Sequence, residues 1–372
     1  MKHKTISIRL LTTLALLLPL ISCNAEEGPE NNGIPTYLQI IISHSENDPG
    51  SIKIEANARN AVKYELYVNS ETDLAATNTT GTFEYTFSET GTYEIHIKAY
   101  GSSGKFITGK REVEIKFPVS VNQGFVTPLE YEGYELVWHD EFEGNALNIN
   151  DWVYEVGDGC PNLCGWGNNE LQYYRAQNAS VSGSTLIIEA RNETIQNKNY
   201  TSARIKTQGR QSFQYGRIDI RALLPVGQGI WPALWMLGND ITSVGWPKCG
   251  EIDIMEMIGG NGREKEVHGT VHFDNNGHQH TGGTYTLATG TFADEYHVFT
   301  IIWDEEYIRW FVNDNKFYEV DITPDHLSEF HQEFYLIFNL AVGGNWPGNP
   351  DSSTVFPQQM KVDYVRVFQK IN

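Results

Sequence analysis

Glu251, Asp253 and Glu256 stand together in the run Gly250-Glu251-Ile252-Asp253-Ile254-Met255-Glu256. In a regular strand, side chains alternate between faces, which would send Glu251 and Asp253 one way and Glu256 the other. One extra residue in the run, Ile254 or Met255, resets that alternation as a β-bulge and brings all three carboxylates to one face. Like charges crowded on a sheet face repel, and close carboxylates cannot all ionise freely, so at least one should hold a proton to higher pH than usual. A carboxylic acid beside an ionised carboxylate, roughly 5 to 5.5 Å apart, is what two-step hydrolysis of a glycosidic bond requires: one group attacks the anomeric carbon and the other protonates the leaving oxygen. The apolar neighbours Ile252, Ile254, Met255, Met257 and Ile258 indicate a buried strand of a large sheet rather than a solvent-facing edge. Three acids are expensive there without a purpose.

Strands must position these acids, and residues 134–372 supply them. Short strand patterns recur, among them Thr185–Ala190, Arg217–Arg221, Val298–Trp303 and Lys361–Val367, and long helical periodicity is scarce. So many strands in one stretch predict an all-β, two-sheet jelly roll in which a concave sheet carries a groove with the acids midway along it. All nine tryptophans fall between Trp138 and Trp346. Indole faces stack on sugar rings as they do on bases, although ordinary core packing must claim several of them. Upstream, residues 36–117 alternate in short runs separated by turns, as in a β-sandwich of immunoglobulin or PKD type, and serve as a spacer rather than a sugar-binding module. Residues 118–133, with Pro118, Gly124, Pro128 and Gly133, read as a linker between the two domains.

The formal net charge of −20 makes nucleic acid and other polyanions poor partners, whereas a neutral sugar polymer meets no such penalty. Lys2, Lys4 and Arg9 precede an apolar run from Leu10 to Ile21, so residues 1–22 read as a secretory signal too short to span a membrane. Leu20-Ile21-Ser22-Cys23 resembles a bacterial lipobox. It implies cleavage before Cys23, lipid attachment there, a polar tether over residues 23–35, and a place on the outer membrane facing outward. The lipid would be the sole membrane contact. Three further cysteines, Cys160, Cys164 and Cys249, cannot all pair with one another; a Cys160–Cys164 bridge is plausible in an oxidising compartment, and Cys249 could equally pair with either.

The motif Glu251-Ile252-Asp253-Ile254-Met255-Glu256 resembles that of glycoside hydrolase family 16. Four further blocks follow the family's order: Trp138–Phe142, Gly165–Tyr174, Gly229–Leu237 and Asn339–Pro347. The resemblance implies that Glu251 is the nucleophile, Glu256 the general acid/base, and Asp253 the group that tunes the nucleophile. His272, on the neighbouring strand facing the acids, is read as a catalytic residue in the proton network or in holding the leaving-side sugar; His268 shares its parity, and a core or surface histidine is the alternative for both. Trp231 and Trp235 match the aromatic wall near the cleaved sugar, and Asn169, Glu170 and Arg204 match polar groups that hold sugar hydroxyls on the non-reducing side. It also implies a structural calcium on the convex side, held by the Asp363 carboxylate and the carbonyls of Glu141 and Gly183; catalysis itself needs no cofactor.

Met255 separates this motif from the shorter one of lichenases, and the Gly165–Tyr174 block looks like that of laminarinases. Both point to an endo-1,3-β-glucanase acting on laminarin-like glucan, and the protein is expected to be a monomer. Mixed-linkage glucan, agar and carrageenan are alternative substrates. A non-catalytic surface glucan-binding protein is the alternative outside enzymes, and the intact acid triad counts against it.

Overall fold

The structure is a computed structural model that describes residues 33–45 and 48–371. The signal segment, Cys23 and most of the tether lie outside the described residues. The chain divides into two compact units, residues 1–118 and 119–372.

In the first unit, a three-stranded sheet (Thr36–His44, Ser51–Arg59, Thr82–Thr86) faces a four-stranded one (Leu74–Asn78, Lys63–Val68, Gly91–Tyr100, Phe106–Ile115). Strict alternation in Ser51–Arg59 turns Ile52, Ile54 and Ala56 inward, where they meet Leu66, Ile95 and Ile97 of the other sheet. The described residues include no helix long and apolar enough to cross a membrane.

The second unit is a sandwich of an eight-stranded and a seven-stranded sheet. The seven-stranded sheet carries the acids. Its strands in chain order are β1 (Val153–Glu155), β2 (Arg204–Lys206), β3 (Ile230–Gly238), β4 (Glu251–Glu256), β5 (Glu266–Asp274), β6 (His278–Thr286) and β7 (Phe334–Val342). Their order across the sheet is β6-β5-β4-β3-β7-β2-β1, which puts β4 between β3 and β5. Every residue of β7 is buried, yet the period of two survives: Leu336, Phe338 and Leu340 join the core between the sheets, while Tyr335, Ile337 and Ala341 join smaller clusters on the opposite face.

The bulge in β4 is explicit in the pairing. Against β3, Leu234 faces Met255 and Trp235 faces Asp253, so Ile254 is left unopposed. Against β5, Asp253 faces Thr270 and Glu256 faces His268, one residue more on β4 than on its partner. Ile254 and Met255 are consecutive and both enter the core between the sheets, and this double inward step returns Glu256 to the face of Glu251 and Asp253.

Residues 119–133 do not behave as a free linker. Arg221, 1% exposed on the strand Gly216–Leu223, donates to the carbonyls of Val121, Gln123 and Phe125 and to the Asp363 carboxylate. Arg366 donates to the Thr127 carbonyl, and the Thr127 N–H donates to Tyr364 Oη. A buried guanidinium needs several acceptors, and a strand-free strap of backbone carbonyls supplies them. Glycine and proline mark a docked strap as readily as a flexible linker, which is why composition alone suggested the latter. Arg221→Ala should destabilise the protein by about 3–5 kcal/mol in a urea titration and open residues 119–127 to proteolysis; a change below 1 kcal/mol would show the strap to be held otherwise.

Candidate active site

Glu251, Asp253 and Glu256 project from β4 into a cleft of about 1070 Å³ on the outer face of the seven-stranded sheet. Each outer acid has its own indole. Trp246 Nε1, from the loop before β4, donates to Glu251 Oε2 at 2.9 Å, and Trp231 Nε1, on β3, donates to Glu256 Oε1 at 3.0 Å. Asp253 sits between them at 2% exposure. Its carbonyl accepts from Trp310 Nε1 at 2.8 Å, from the sheet beneath. That approach needs Gly269 on β5, because a Cβ there would come within 2.3 Å of the Trp310 ring.

His272 lies directly across from Glu251 on β5. Its Nε2 is 3.2 Å from Asp253 Oδ2 and 3.8 Å from Glu251 Oε1. Asp253 Oδ2 is wholly buried and makes no well-aligned hydrogen bond among the described residues, so His272 is the group that approaches it. Burial pushes the Glu251 carboxyl up to about 8, with the Asp253 charge adding to it, while His272 and the Trp246 N–H oppose. Burial pushes Asp253 up to about 8 as well. Glu256 is raised well above the ordinary range by burial and by both neighbouring acids. The site therefore holds protons at neutral pH, as a general acid must.

Residues 170–366 match the profile of glycosyl hydrolases family 16, a span that includes all three acids and more than half of the chain. The chain belongs to this family. A second profile, for β-glucan synthesis-associated proteins of the SKN1/KRE6/Sbg1 type, matches residues 63–249 and stops before the acids. The hydrolase is 45% identical over 255 residues to the β-glucanase of Rhodothermus marinus, a match covering 63% of this chain and 85% of that protein. It is 41% identical over 275 residues to glucan endo-1,3-β-glucosidase A1 of Niallia circulans (67% of this chain, 40% of that one), and 40% identical over 240 residues to the clotting factor G α subunit of Tachypleus tridentatus (63% and 34%). The chain thus spans less than half the length of the last two. Among solved structures, the laminarinase catalytic domain of Thermotoga maritima is 44% identical with a TM-score of 0.59, covering 64% of this chain and 99% of that domain.

Around the acids, the family 16 hydrolase uses its predicted residues unequally. Trp231 is 9% exposed and holds Glu256 through its N–H, with Trp346 edge-on against it at 5.6 Å. Trp235 donates to Asn339 Oδ1 at 2.7 Å, and the Arg204 guanidinium lies between the Trp166 and Trp235 rings at 4.7 and 4.8 Å from their centres. Arg204 also pairs with Glu155 at 2.5 Å. Glu170 borders the cleft but is 5% exposed; it accepts from Gln172 and Tyr174, and burial raises its carboxyl. Asn169 stands outside the cleft lining and donates to Asn345 Oδ1, while its neighbour Asn168 faces the cleft. His268 faces Glu256 across the strands and contacts Thr284 and Trp346.

Sequence reasoning passed over Trp246, Trp166, Glu155 and His278. Trp246 had a usable signal, an aromatic residue just upstream of the acid motif; Glu155 comes from a three-residue strand with no pattern of its own. Cys160 and Cys164 are bonded to each other in the loop that carries Trp166, and Cys249 is a buried thiol pushed up to about 12 by burial. On the other sheet, Asp363 spends Oδ2 on Arg221, and burial raises its carboxyl, with the Glu141 charge adding to it. Its other carboxylate oxygen is the one side-chain donor of the calcium set that the resemblance implies. Glu251, Asp253 and His272 also bring one donor atom each within 4.8 Å of one another, a spacing open to a divalent cation.

The raised carboxyls tie stability to pH. Glu251 and Asp253, both pushed up to about 8, hold between them a proton that the unfolded chain has released, so between the ordinary carboxylate value and pH 8 the native state binds more protons and stability falls as pH rises through that window. Glu251→Gln removes one carboxylate of the pair and so reduces this loss. Its melting temperature should exceed that of the wild type by about 2 to 6 °C at pH 8, with the gap closing at pH 5; a gap independent of pH would show that the pair does not titrate in this window.

Proposed function

We propose that this hydrolase is a retaining endo-1,3-β-glucanase acting on laminarin-like glucan. The observation that carries the mechanism is the arrangement on β4: two carboxylates on one face, each fixed by its own indole N–H, with a third buried between them. Glu256 begins protonated and gives its proton to the leaving glycosidic oxygen as Glu251 attacks the anomeric carbon; the C–O bond to the leaving sugar breaks and an ester to Glu251 forms. Glu256, now ionised, takes a proton from water, whose oxygen attacks the same carbon and releases Glu251. Glu251 must be ionised for the first step, so the proton that it and Asp253 hold between them has to reside on Asp253. An ionised Glu251 is then flanked by two neutral acids, which removes the repulsion that would otherwise destabilise the site.

The relatives named as laminarinases and endo-1,3-β-glucosidases support the glucan assignment. Mixed-linkage glucan is a secondary substrate. The strong negative charge disfavours sulfated galactans such as carrageenan, and agar is the remaining alternative. We further propose a monomer anchored through lipid at Cys23 to the outer membrane and facing outward, with the first unit an immunoglobulin- or PKD-like spacer. A calcium held by Asp363 and the carbonyls of Glu141 and Gly183 would brace the eight-stranded sheet; chelation with EDTA should then lower the melting temperature, and an unchanged temperature in calcium and in EDTA would remove the ion from the account.

Incubation with laminarin, lichenan, agarose and carrageenan should yield oligosaccharides from laminarin foremost, with the β-anomer appearing first by proton NMR. Inversion at the anomeric carbon would refute the assignment of Glu251 as nucleophile. Glu251→Ala should lose hydrolysis by at least about 10³-fold while still binding laminarin, and inactivity of the wild type on all four polymers would favour a glucan-binding protein.

A further inference from the structure

His272 meets the acids through Nε2, and its other ring nitrogen is also engaged. Nδ1 lies 2.8 Å from Nε2 of His278, on the edge strand β6, and the two rings stack with centres 5.1 Å apart and planes 17° from parallel. His278 packs in turn against the Trp246 ring at 4.5 Å, and Trp246 holds Glu251. His278 therefore touches both side chains that reach from outside β4 to Asp253 and Glu251.

Two nitrogens 2.8 Å apart share one hydrogen, and its position decides what His272 offers on its far side. If His272 Nδ1 carries it, the neutral ring turns a lone pair toward Asp253 Oδ2, and two acceptors face each other at 3.2 Å. If His278 Nε2 carries it, His272 takes the Nε2–H form and donates to that buried oxygen, which has no well-aligned donor elsewhere. The second arrangement gives the buried Asp253 oxygen a donor; the first leaves it opposed by a lone pair.

We propose that His278 is a positioning residue that holds His272 as the Nε2–H tautomer, making a one-way donor chain from His278 through His272 to Asp253. The inference rests on the assignment of Glu251, Asp253 and Glu256 as the hydrolytic set. Its effect is on the shared proton: with Oδ2 of Asp253 occupied by a donor, the other oxygen is the one free to carry the proton toward Glu251. The groups facing His272 are Glu251 and Asp253 from β4, His278 and His280 from β6, and Trp246 from the loop before β4. Burial lowers the pKa of His278, which keeps it a neutral ring with a single proton to place.

The test compares His278→Ala with His278→Gln, whose amide N–H can still donate to Nδ1. Nitrogen-15 NMR of the wild type should show His272 protonated on Nε2 and bare on Nδ1. In His278→Ala both tautomers should be populated, kcat on laminarin should fall about tenfold with KM within about twofold, and the acid limb of the pH profile should move. His278→Gln should restore most of the rate and the single tautomer. A wild-type His272 protonated on Nδ1, or an alanine variant with unchanged tautomer and kcat, overturns the proposal. Equal losses in both variants with a raised KM also overturn it, because they would mark His278 as a sugar contact. Should the wild type prove inactive on laminarin, the substrate assignment fails while the NMR comparison still decides the tautomer.

Discussion

Repulsion among three carboxylates buried on one strand is the constraint that shapes the rest of the catalytic unit. Each would ionise freely in water; here burial raises all three, and the surroundings decide which group keeps its proton. The surroundings are neutral donors for the most part. Trp231, Trp246 and the His272 ring present N–H groups or imidazole to the acids, and Arg204, which also lines the cleft, is paired with Glu155 and lies against two indoles. A cation placed against Glu251 or Glu256 would drive both to ionise and remove the acid. Indole donors orient a carboxyl without forcing its charge.

The arrangement of donors depends on strand order. β3 brings Trp231 beside Glu256, and β5 brings His272 beside Glu251, because both strands are direct neighbours of β4. The bulge at Ile254 makes this possible: without it, Glu256 would point into the core on the face of Ile252 and Ile254. The backbone irregularity and the chemistry are the same feature seen from the two faces of the sheet.

Much of this was legible in the chain. The period of two in the strands and the spacing of Glu251, Asp253 and Glu256 pointed to a sandwich with a bulged acid strand, because alternation and like-charge crowding are local properties. The spacing offered Ile254 or Met255 as the extra residue, and the shorter lichenase motif favoured Met255; the pairing with Leu234 and Trp235 corrects this, leaving Ile254 unopposed and Met255 still partnered. Long-range properties were not legible. Arg221 reaching the carbonyls of Val121, Gln123 and Phe125 joins residues about a hundred positions apart, and composition carries no trace of such a contact. Asn169 and Glu170 sit in a matching block, yet their side chains turn to Asn345 and to Gln172 and Tyr174, since a motif gives position along the chain and not direction.

Gly269 is a window. Through the absent side chain at that position, Trp310 of the eight-stranded sheet reaches past β5 and grips the backbone of Asp253. The distance between the two layers is thereby transmitted to the acid in the middle of the catalytic set. Repacking of the core beneath would register as a shift in how Asp253 meets Glu251, so the interior of this protein cannot drift in sequence independently of its chemistry, and even residues that never see sugar are answerable to it.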